Sequence, residues 1–179
     1  FFIAFARIPP FIATLGMFLI CRGISQWWTK GQPVSFPTDS YAFIGTSMMP
    51  VVWFIGLAVL LHLIMRYTIY GKHTYAIGSN EEAATLAGIA VKRTKVTIYM
   101  FSALTAGISG ILMAGWLGSV TTNLGNAMEL TVIAAAVIGG ANLNGGEGTA
   151  LGAVVGALLI EVIRNSLILL GISTFWQGM

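Results

Sequence analysis

Charged side chains are scarce in this chain of 179 residues. They make up 8% of the sequence, whereas hydrophobic residues make up 56%. A soluble globular domain normally carries about a quarter charged residues. The chain therefore has too little charge to cover a surface that faces water. We expect most of its side chains to lie against lipid or against other apolar helices.

Cysteine is almost absent as well. Cys21 is the one cysteine of the sequence and lies in an apolar run, where we expect a small packed hydrophobic residue. A single thiol excludes a disulfide within the chain and a cysteine-rich metal site. His62 and His73 have no carboxylate or cysteine cluster beside them at ligand spacing. We therefore predict no metal ion and no cofactor.

Patterns for nucleotide chemistry and for catalysis are also missing. The sequence has no Gly-x-x-x-x-Gly-Lys-Ser/Thr motif, and the glycine-rich stretch 145–148 predicts a tight turn. No nucleophile–base pair or metal cluster indicates an intramembrane enzyme, so we predict no catalytic residue. The net charge is +3, but the basic residues are few and lie mostly in one loop. This distribution favours membrane orientation over binding of nucleic acid.

Five apolar segments predict membrane-spanning helices, because a bilayer core of about 30 Å needs about 20 apolar residues. Their predicted bounds are Pro10–Ser25, Met49–Met65, Val96–Gly118, Met128–Gly140 and Thr149–Ile172. The fourth segment is short for a full crossing and is expected to be tilted, partly buried or extended by its flanks. The predicted fold class is all-α, a polytopic transmembrane helix bundle with about five spanning segments.

The positions of lysine and arginine predict the orientation. If the first segment begins in the cytoplasm, the inner side holds more basic residues than the outer side, as the positive-inside rule requires. The inner residues are Arg7, Arg66, Lys72, Lys92, Arg93 and Lys95, and the outer ones are Arg22 and Lys30. The loop 67–95 is then cytoplasmic. We interpret 1–179 as one transmembrane domain and expect it to be an internal fragment of a longer chain.

Two segments carry small residues at every fourth position, which places them on one helix face. The third segment has Ala106, Gly110 and Ala114, and the fifth has Gly148, Gly152 and Gly156. These faces predict close packing between helices. The fifth segment also carries Glu161 and Arg164, whose spacing allows a structural ion pair on one face; the alternative is a role in the substrate path or in an interface.

The loop 67–95 contains the pattern of a short helix. Ser79 or Asn80 can cap its N-terminus, Glu81 and Glu82 suit its first turn, and Gly88 is placed to end it. We expect about seven to nine helical residues. So short a helix is unstable alone, so its apolar positions indicate a docking partner. The alternative is an interfacial loop helix without a partner.

This loop resembles the coupling loop of permease subunits in the ribose, xylose and arabinose group of bacterial ABC importers. The family pattern Gly-x-Asn-x-x-Ala-Ala-x-x-x-Gly-Ile is matched here by Gly78, Asn80, Ala83, Ala84, Gly88 and Ile89. Similar blocks occur in the family's order at 10–16, 22–23, 129–130, 133–140, 143–149, 170–172 and 176–177. The chain departs from the family at Thr131, where Asp is frequent, and at Glu161 and Arg164, where neutral residues are usual.

The resemblance implies the permease subunit of an importer in the bacterial inner membrane, which translocates a sugar, expected to be a monosaccharide. It implies a periplasmic sugar-binding protein, a cytoplasmic ATPase that hydrolyses ATP, and a second permease copy, either identical or a paralogue, as partners. It also implies that the ATPase docks on Asn80, Glu81, Glu82, Ala83, Ala84, Gly88 and Ile89. The alternative function is a secondary transporter or channel that works without an ATPase.

Three residues are candidates for a substrate path. Glu129 lies at the outer mouth of the fourth segment, although a carboxylate facing a helix dipole explains it equally well. Asn126 has an amide that suits sugar hydroxyl groups and equally suits a turn. Trp116 could stack on a sugar or belong to an interfacial aromatic belt.

Overall fold

The computed structural model describes residues 3–6, 8–35, 43, 45–46 and 48–171. Its helices are α1 (Pro10–Thr29), α2 (Met49–Tyr67), α3 (Ile69–Ser79), α4 (Glu81–Leu86), α5 (Val91–Leu117), α6 (Met128–Ile138) and α7 (Ala150–Leu169). Two short strands, β1 (Val34–Ser35) and β2 (Ser119–Val120), pair antiparallel. The predicted all-α class is confirmed, and the strand pair is a minor addition. The predictions for Arg7 and for 172–179 lie outside the described residues.

Three helices of the described part are long and apolar enough to cross a membrane, namely α2, α5 and α7. Helix α6 is apolar but has 11 residues, about 17 Å at a rise of 1.5 Å per residue. It is therefore too short to cross a core of about 30 Å on its own. Helix α1 has 20 residues, but its last turns carry polar side chains. The polytopic helical bundle is confirmed, with fewer full-length apolar spans than the five predicted segments.

Three helices extend beyond the predicted apolar segments, and one of them, α2, continues past Met65 to Tyr67. Helix α1 continues past Ser25 to Thr29, and α5 begins at Val91 instead of Val96. The added first turn of α5 contains lysine and arginine, which are good helix formers but poor membrane residues. The apolar pattern therefore predicts the apolar part of each of these helices and does not predict its polar end.

The chain divides into two compact units, one formed by 1–57 and 85–124 and the other by 58–84 and 125–179. In the first unit, the guanidinium of Arg22 on α1 donates a hydrogen bond to the Thr122 carbonyl at 3.1 Å. A cavity of about 430 Å³ lies beside the strand pair. Small and hydroxyl-bearing residues form most of its wall, including Ser25, Thr29, Gly107, Gly110, Thr121 and Thr122.

In the second unit, α6 and α7 form a hairpin with backbone-to-backbone contact. A methyl group added at Gly152 would overlap the Gly139 carbonyl, and one added at Gly156 would overlap the Ala135 carbonyl. The predicted packing face of the fifth segment is thus confirmed at Gly152 and Gly156. Gly148, however, lies in the turn before α7 and is not part of this face.

The small face predicted on α5 is only partly packed within the chain. Ala114 is buried, whereas Ala106 and Gly110 are exposed, and a methyl group added at Gly110 would meet nothing within 4 Å. On α7, the predicted ion pair is present, with Arg164 Nη1 donating to Glu161 Oε1 at 3.3 Å. Both side chains of this pair are exposed.

Candidate functional site

Residues 67–95 contain one helix more than predicted. Helix α3 begins directly after Thr68, whose hydroxyl oxygen accepts a hydrogen bond from the Gly71 amide at 3.3 Å. Gly71 is buried, and a methyl group there would overlap the Met65 carbonyl. Sequence reasoning missed α3 because Gly71 and Gly78 are poor helix formers. Thr68, a residue type that favours helix N-caps, was the available signal.

Asn80 joins α3 to α4. Its amide N–H donates to the Ala76 carbonyl at 3.1 Å and closes α3. Its side-chain oxygen accepts from the Ala83 amide at 2.9 Å and caps α4. Of the two predicted caps, Ser79 and Asn80, the structure therefore selects Asn80. The backbone of this residue is extended, so a single residue separates the two helices.

Helix α4 has acidic residues in its first turn, as predicted, but it is shorter than expected. Glu81 and Glu82 lie in its first turn, where carboxylates are favourable for the helix dipole. It contains 6 residues. Gly88 then adopts φ +84°, and its amide donates to the Thr85 carbonyl at 3.0 Å. This conformation favours glycine, which explains why the helix ends before this position.

The two sides of α4 differ sharply in exposure. Ala84 is 4% exposed, whereas Leu86 is 89% exposed. Among the other residues predicted to meet an ATPase, Asn80, Glu81, Glu82, Ala83 and Gly88 are exposed and Ile89 is intermediate. Ala84 is therefore covered by other residues of the chain. Leu86, which sequence reasoning did not single out, is the large apolar side chain on the accessible side.

The connection between α6 and α7 is the tight turn that the glycine-rich stretch predicted. The Asn142 amide donates to the Glu147 carbonyl at 3.1 Å, and the Gly145 amide donates to the Asn142 carbonyl at 2.9 Å. The Asn142 side-chain oxygen also accepts from the Asn144 amide at 3.0 Å. Asn142 therefore serves the turn with both its backbone and its side chain.

This turn contacts the C-terminal half of α3. The Tyr75 hydroxyl donates to the Gly148 carbonyl at 2.7 Å. A methyl group added at Gly78 would lie 2.5 Å from the Gly146 nitrogen, and one added at Gly145 would lie 2.6 Å from the Gly78 oxygen. We call these five residues, Tyr75, Gly78, Gly145, Gly146 and Gly148, the glycine lock. Nothing in the sequence reasoning anticipated that the turn and the loop helix meet.

The three predicted path residues are not brought together in one unit. Trp116 lies near the end of α5 in the first unit and is 65% exposed. Asn126 and Glu129 lie in the second unit, at the start of α6, and both are exposed. The cavity of the first unit is lined by other residues of the described chain. Within that part of the chain, no group of three or more histidine, cysteine or carboxylate side chains forms a metal site.

Curated relatives match nearly the whole chain. The ribose import permease of Bacillus subtilis is 36% identical over 96% of this chain and 55% of its own length. The ribose import permease of Escherichia coli K12 is 36% identical over 98% of this chain and 57% of its own length. The galactose/methyl galactoside import permease of Haemophilus influenzae is 36% identical over 98% of this chain and 56% of its own length.

The chain thus spans about half the length of the curated relatives that it matches. No solved structure matches it. The family described as branched-chain amino acid transport system / permease component matches residues 1–179. Full coverage by this family, together with the polytopic helical fold, shows that the chain belongs to this family of transport permease components.

Proposed function

We propose that the chain is the membrane-spanning part of a permease subunit in an ATP-driven importer. Its cargo is a sugar, most simply a monosaccharide, and it works in the bacterial inner membrane. The observation that carries this proposal is the 36% identity to import permeases for ribose and for galactose over nearly the full chain. Those relatives take different sugars, so the cargo is assigned only as a class.

The proposed partners follow from the same kinship. A periplasmic sugar-binding protein delivers the sugar, a second permease copy completes the path, and a cytoplasmic ATPase hydrolyses ATP. The sequence itself has no phosphate-binding Gly-x-x-x-x-Gly-Lys-Ser/Thr motif, which supports placing ATP hydrolysis in a partner.

We propose that the ATPase docks on the exposed side of α4, within a cytoplasmic loop 67–95. Leu86 is 89% exposed and is the large apolar side chain of α4, whereas Ala84 is buried. A large apolar side chain on an accessible helix fits an anchor that enters a partner's pocket. Glu81 and Glu82, exposed in the first turn, supply negative charge beside this anchor. Asn80, Ala83, Gly88 and Ile89 border the surface, and Ala84 supports it from within.

Trp116, Asn126 and Glu129 remain our candidates for sugar contact. Each of the three side chains is exposed on the described chain, so each is accessible to a water-filled path. The tryptophan ring offers stacking, and the amide and the carboxylate each offer hydrogen bonding to hydroxyl groups.

The docking surface is tested by Leu86→Asp in the full-length permease, coexpressed with its ATPase and assayed in membrane vesicles. Removing an apolar anchor and adding a charge should reduce ATPase copurification and ATP-dependent sugar uptake at least about tenfold. Ile69→Asp is the matched control, because Ile69 is 70% exposed and lies at the start of α3, at the end of that helix opposite to α4. This control should retain ATPase binding.

Normal copurification and uptake with Leu86→Asp would contradict the docking surface. Uptake by the unaltered permease in vesicles that contain no ATPase would contradict the importer itself and favour a secondary carrier. Ala84→Arg is unsuitable for this test, because a charge at a buried position would disturb the chain's own packing before any partner binds.

A further inference from the structure

We propose that the glycine lock is the contact through which movement of α4 reaches the α6–α7 hairpin. This inference rests on the proposed role of α4 as the helix that an ATPase grips. It assigns Tyr75 and Gly78 as positioning residues that act through the turn 141–148, and it assigns them no contact with the sugar or with ATP.

The lock lies next to α4 along the chain. Gly78 is followed by Ser79, and Asn80 then caps α4 directly. Asn80 is hydrogen-bonded into both helices, through its amide to Ala76 and through its side chain to Ala83. A displacement of α4 must therefore move the C-terminal end of α3, where Gly78 contacts the turn 141–148.

The contact between α3 and the turn leaves little room for movement. Gly78 meets Gly145 and Gly146 backbone to backbone, with no side chain between them that could change rotamer. Gly145 and Gly146 hold φ values of +94° and +81°, which side-chain-bearing residues rarely adopt. Closely packed backbone transmits displacement more directly than a contact between long flexible side chains.

The end of the glycine lock at Gly148 is joined directly to the α6–α7 hairpin. Thr149 follows Gly148 and caps α7, its hydroxyl oxygen accepting from the Gly152 amide at 2.9 Å. Gly152 in turn packs against the Gly139 backbone at the end of α6. The turn, α6 and α7 therefore form one continuous packed body, and a push on the turn moves the hairpin as a whole.

Tyr75 provides a second point of attachment between α3 and the turn. Its hydroxyl donates to the Gly148 carbonyl at 2.7 Å, one residue before the α7 cap. The tyrosine lies one turn before Gly78 on α3, so the helix holds the glycine turn at two points. Two points of attachment resist rotation of α3 relative to the turn, whereas a single contact would act as a pivot.

The test measures coupling in proteoliposomes that contain the full-length permease, its ATPase and its binding protein. Tyr75→Phe keeps the ring and removes the hydrogen-bond donor, and Gly78→Ala inserts a methyl group into the backbone contact. Matched controls are Tyr67→Phe, at a tyrosine that is 69% exposed, and Gly56→Ala, at a helical glycine with nothing within 4 Å of an added methyl group. The readouts are ATPase copurification, ATP hydrolysis, and sugar imported per ATP hydrolysed.

We expect both lock variants to retain their ATPase and to hydrolyse ATP, while the sugar imported per ATP falls roughly two- to tenfold. The two controls should keep the unaltered ratio. If Gly78→Ala does not fold, Tyr75→Phe alone decides the outcome. An unchanged ratio in Tyr75→Phe would overturn the proposal, and loss of ATPase binding would also overturn it, because the residue would then belong to docking. Failure of the unaltered permease to bind any ATPase would instead defeat the proposed function.

Discussion

Asn80 shows how one side chain can organise two helices. Its backbone ends α3 while its side-chain oxygen caps α4. Asn80→Ala removes the cap and should cost about 1 kcal/mol of local stability. We expect the amides of 81–87 to exchange hydrogen about fivefold faster, the factor that corresponds to about 1 kcal/mol.

Hydrogen exchange of the purified permease in detergent, read by mass spectrometry, checks this prediction. Asn80→Ser should stay close to the unaltered protein, because serine also caps helices. Equal exchange in Asn80→Ala and the unaltered chain would show that tertiary contacts, such as the burial of Ala84, hold α4 without the cap.

Single residues were predictable where their role is local. Asn80, Glu81 and Gly88 follow from capping, dipole and left-handed backbone preferences, and all three occupy the expected positions. Which side of α4 faces the chain was not predictable, because a helix of six residues contains too few apolar side chains to define a face. Burial of Ala84 and exposure of Leu86 are set by tertiary packing alone.

At the scale of elements, the α6–α7 hairpin depends on glycine at its contact. Gly152→Leu would drive a side chain into the Gly139 carbonyl, an overlap that backbone cannot relieve cheaply. We expect a loss of about 1–3 kcal/mol, seen as a lower melting temperature and a lower folded yield in detergent. Differential scanning fluorimetry with size-exclusion chromatography provides the measurement.

Gly56→Leu is the control for this prediction, since a methyl group at Gly56 meets nothing within 4 Å. It should leave the melting temperature unchanged or raise it, because leucine is a better helix former than glycine. A similar loss in both variants would mean that the packing of the hairpin has no special need for glycine.

The hydrophobicity of the sequence predicts the apolar helices but not the polar ones. The starts of α1, α2 and α6 coincide with the starts of apolar runs. Helix α3 escaped prediction because it is polar and contains two glycines, Gly71 and Gly78. Both glycines serve close backbone contacts, with Met65 and with the glycine turn. Neither contact is visible to helix propensity, which scores each residue by its type alone and therefore interprets these glycines as helix breakers.

At the scale of the whole molecule, the arrangement of basic residues makes a prediction about sidedness. In a Cys21→Ala background expressed without the ATPase, Glu82→Cys should react with a membrane-permeant thiol reagent but not with an impermeant one added outside. Ser35→Cys should react with both. Both positions are exposed on the chain, so access is limited by the membrane and not by burial.

Labelling of intact spheroplasts with the two reagents, followed by gel-shift detection, measures this difference. The reverse pattern would place the loop 67–95 outside and remove the basis for ATPase docking on α4. Labelling of both positions after the membrane is permeabilised serves as the internal control for reactivity.

The exposed charge pair on α7 constrains where this helix can lie. Glu161 follows Gly152 by nine positions, which at about 100° per residue places it about 180° around the helix axis. One side of α7 is thus occupied by α6 through Gly152, and the opposite side presents Glu161, which pairs with Arg164. Contact between charged side chains and the hydrocarbon core of the bilayer is energetically unfavourable. We therefore expect α7 to be an interior helix of the assembled transporter, with neighbours or water on both sides and little or no contact with lipid tails.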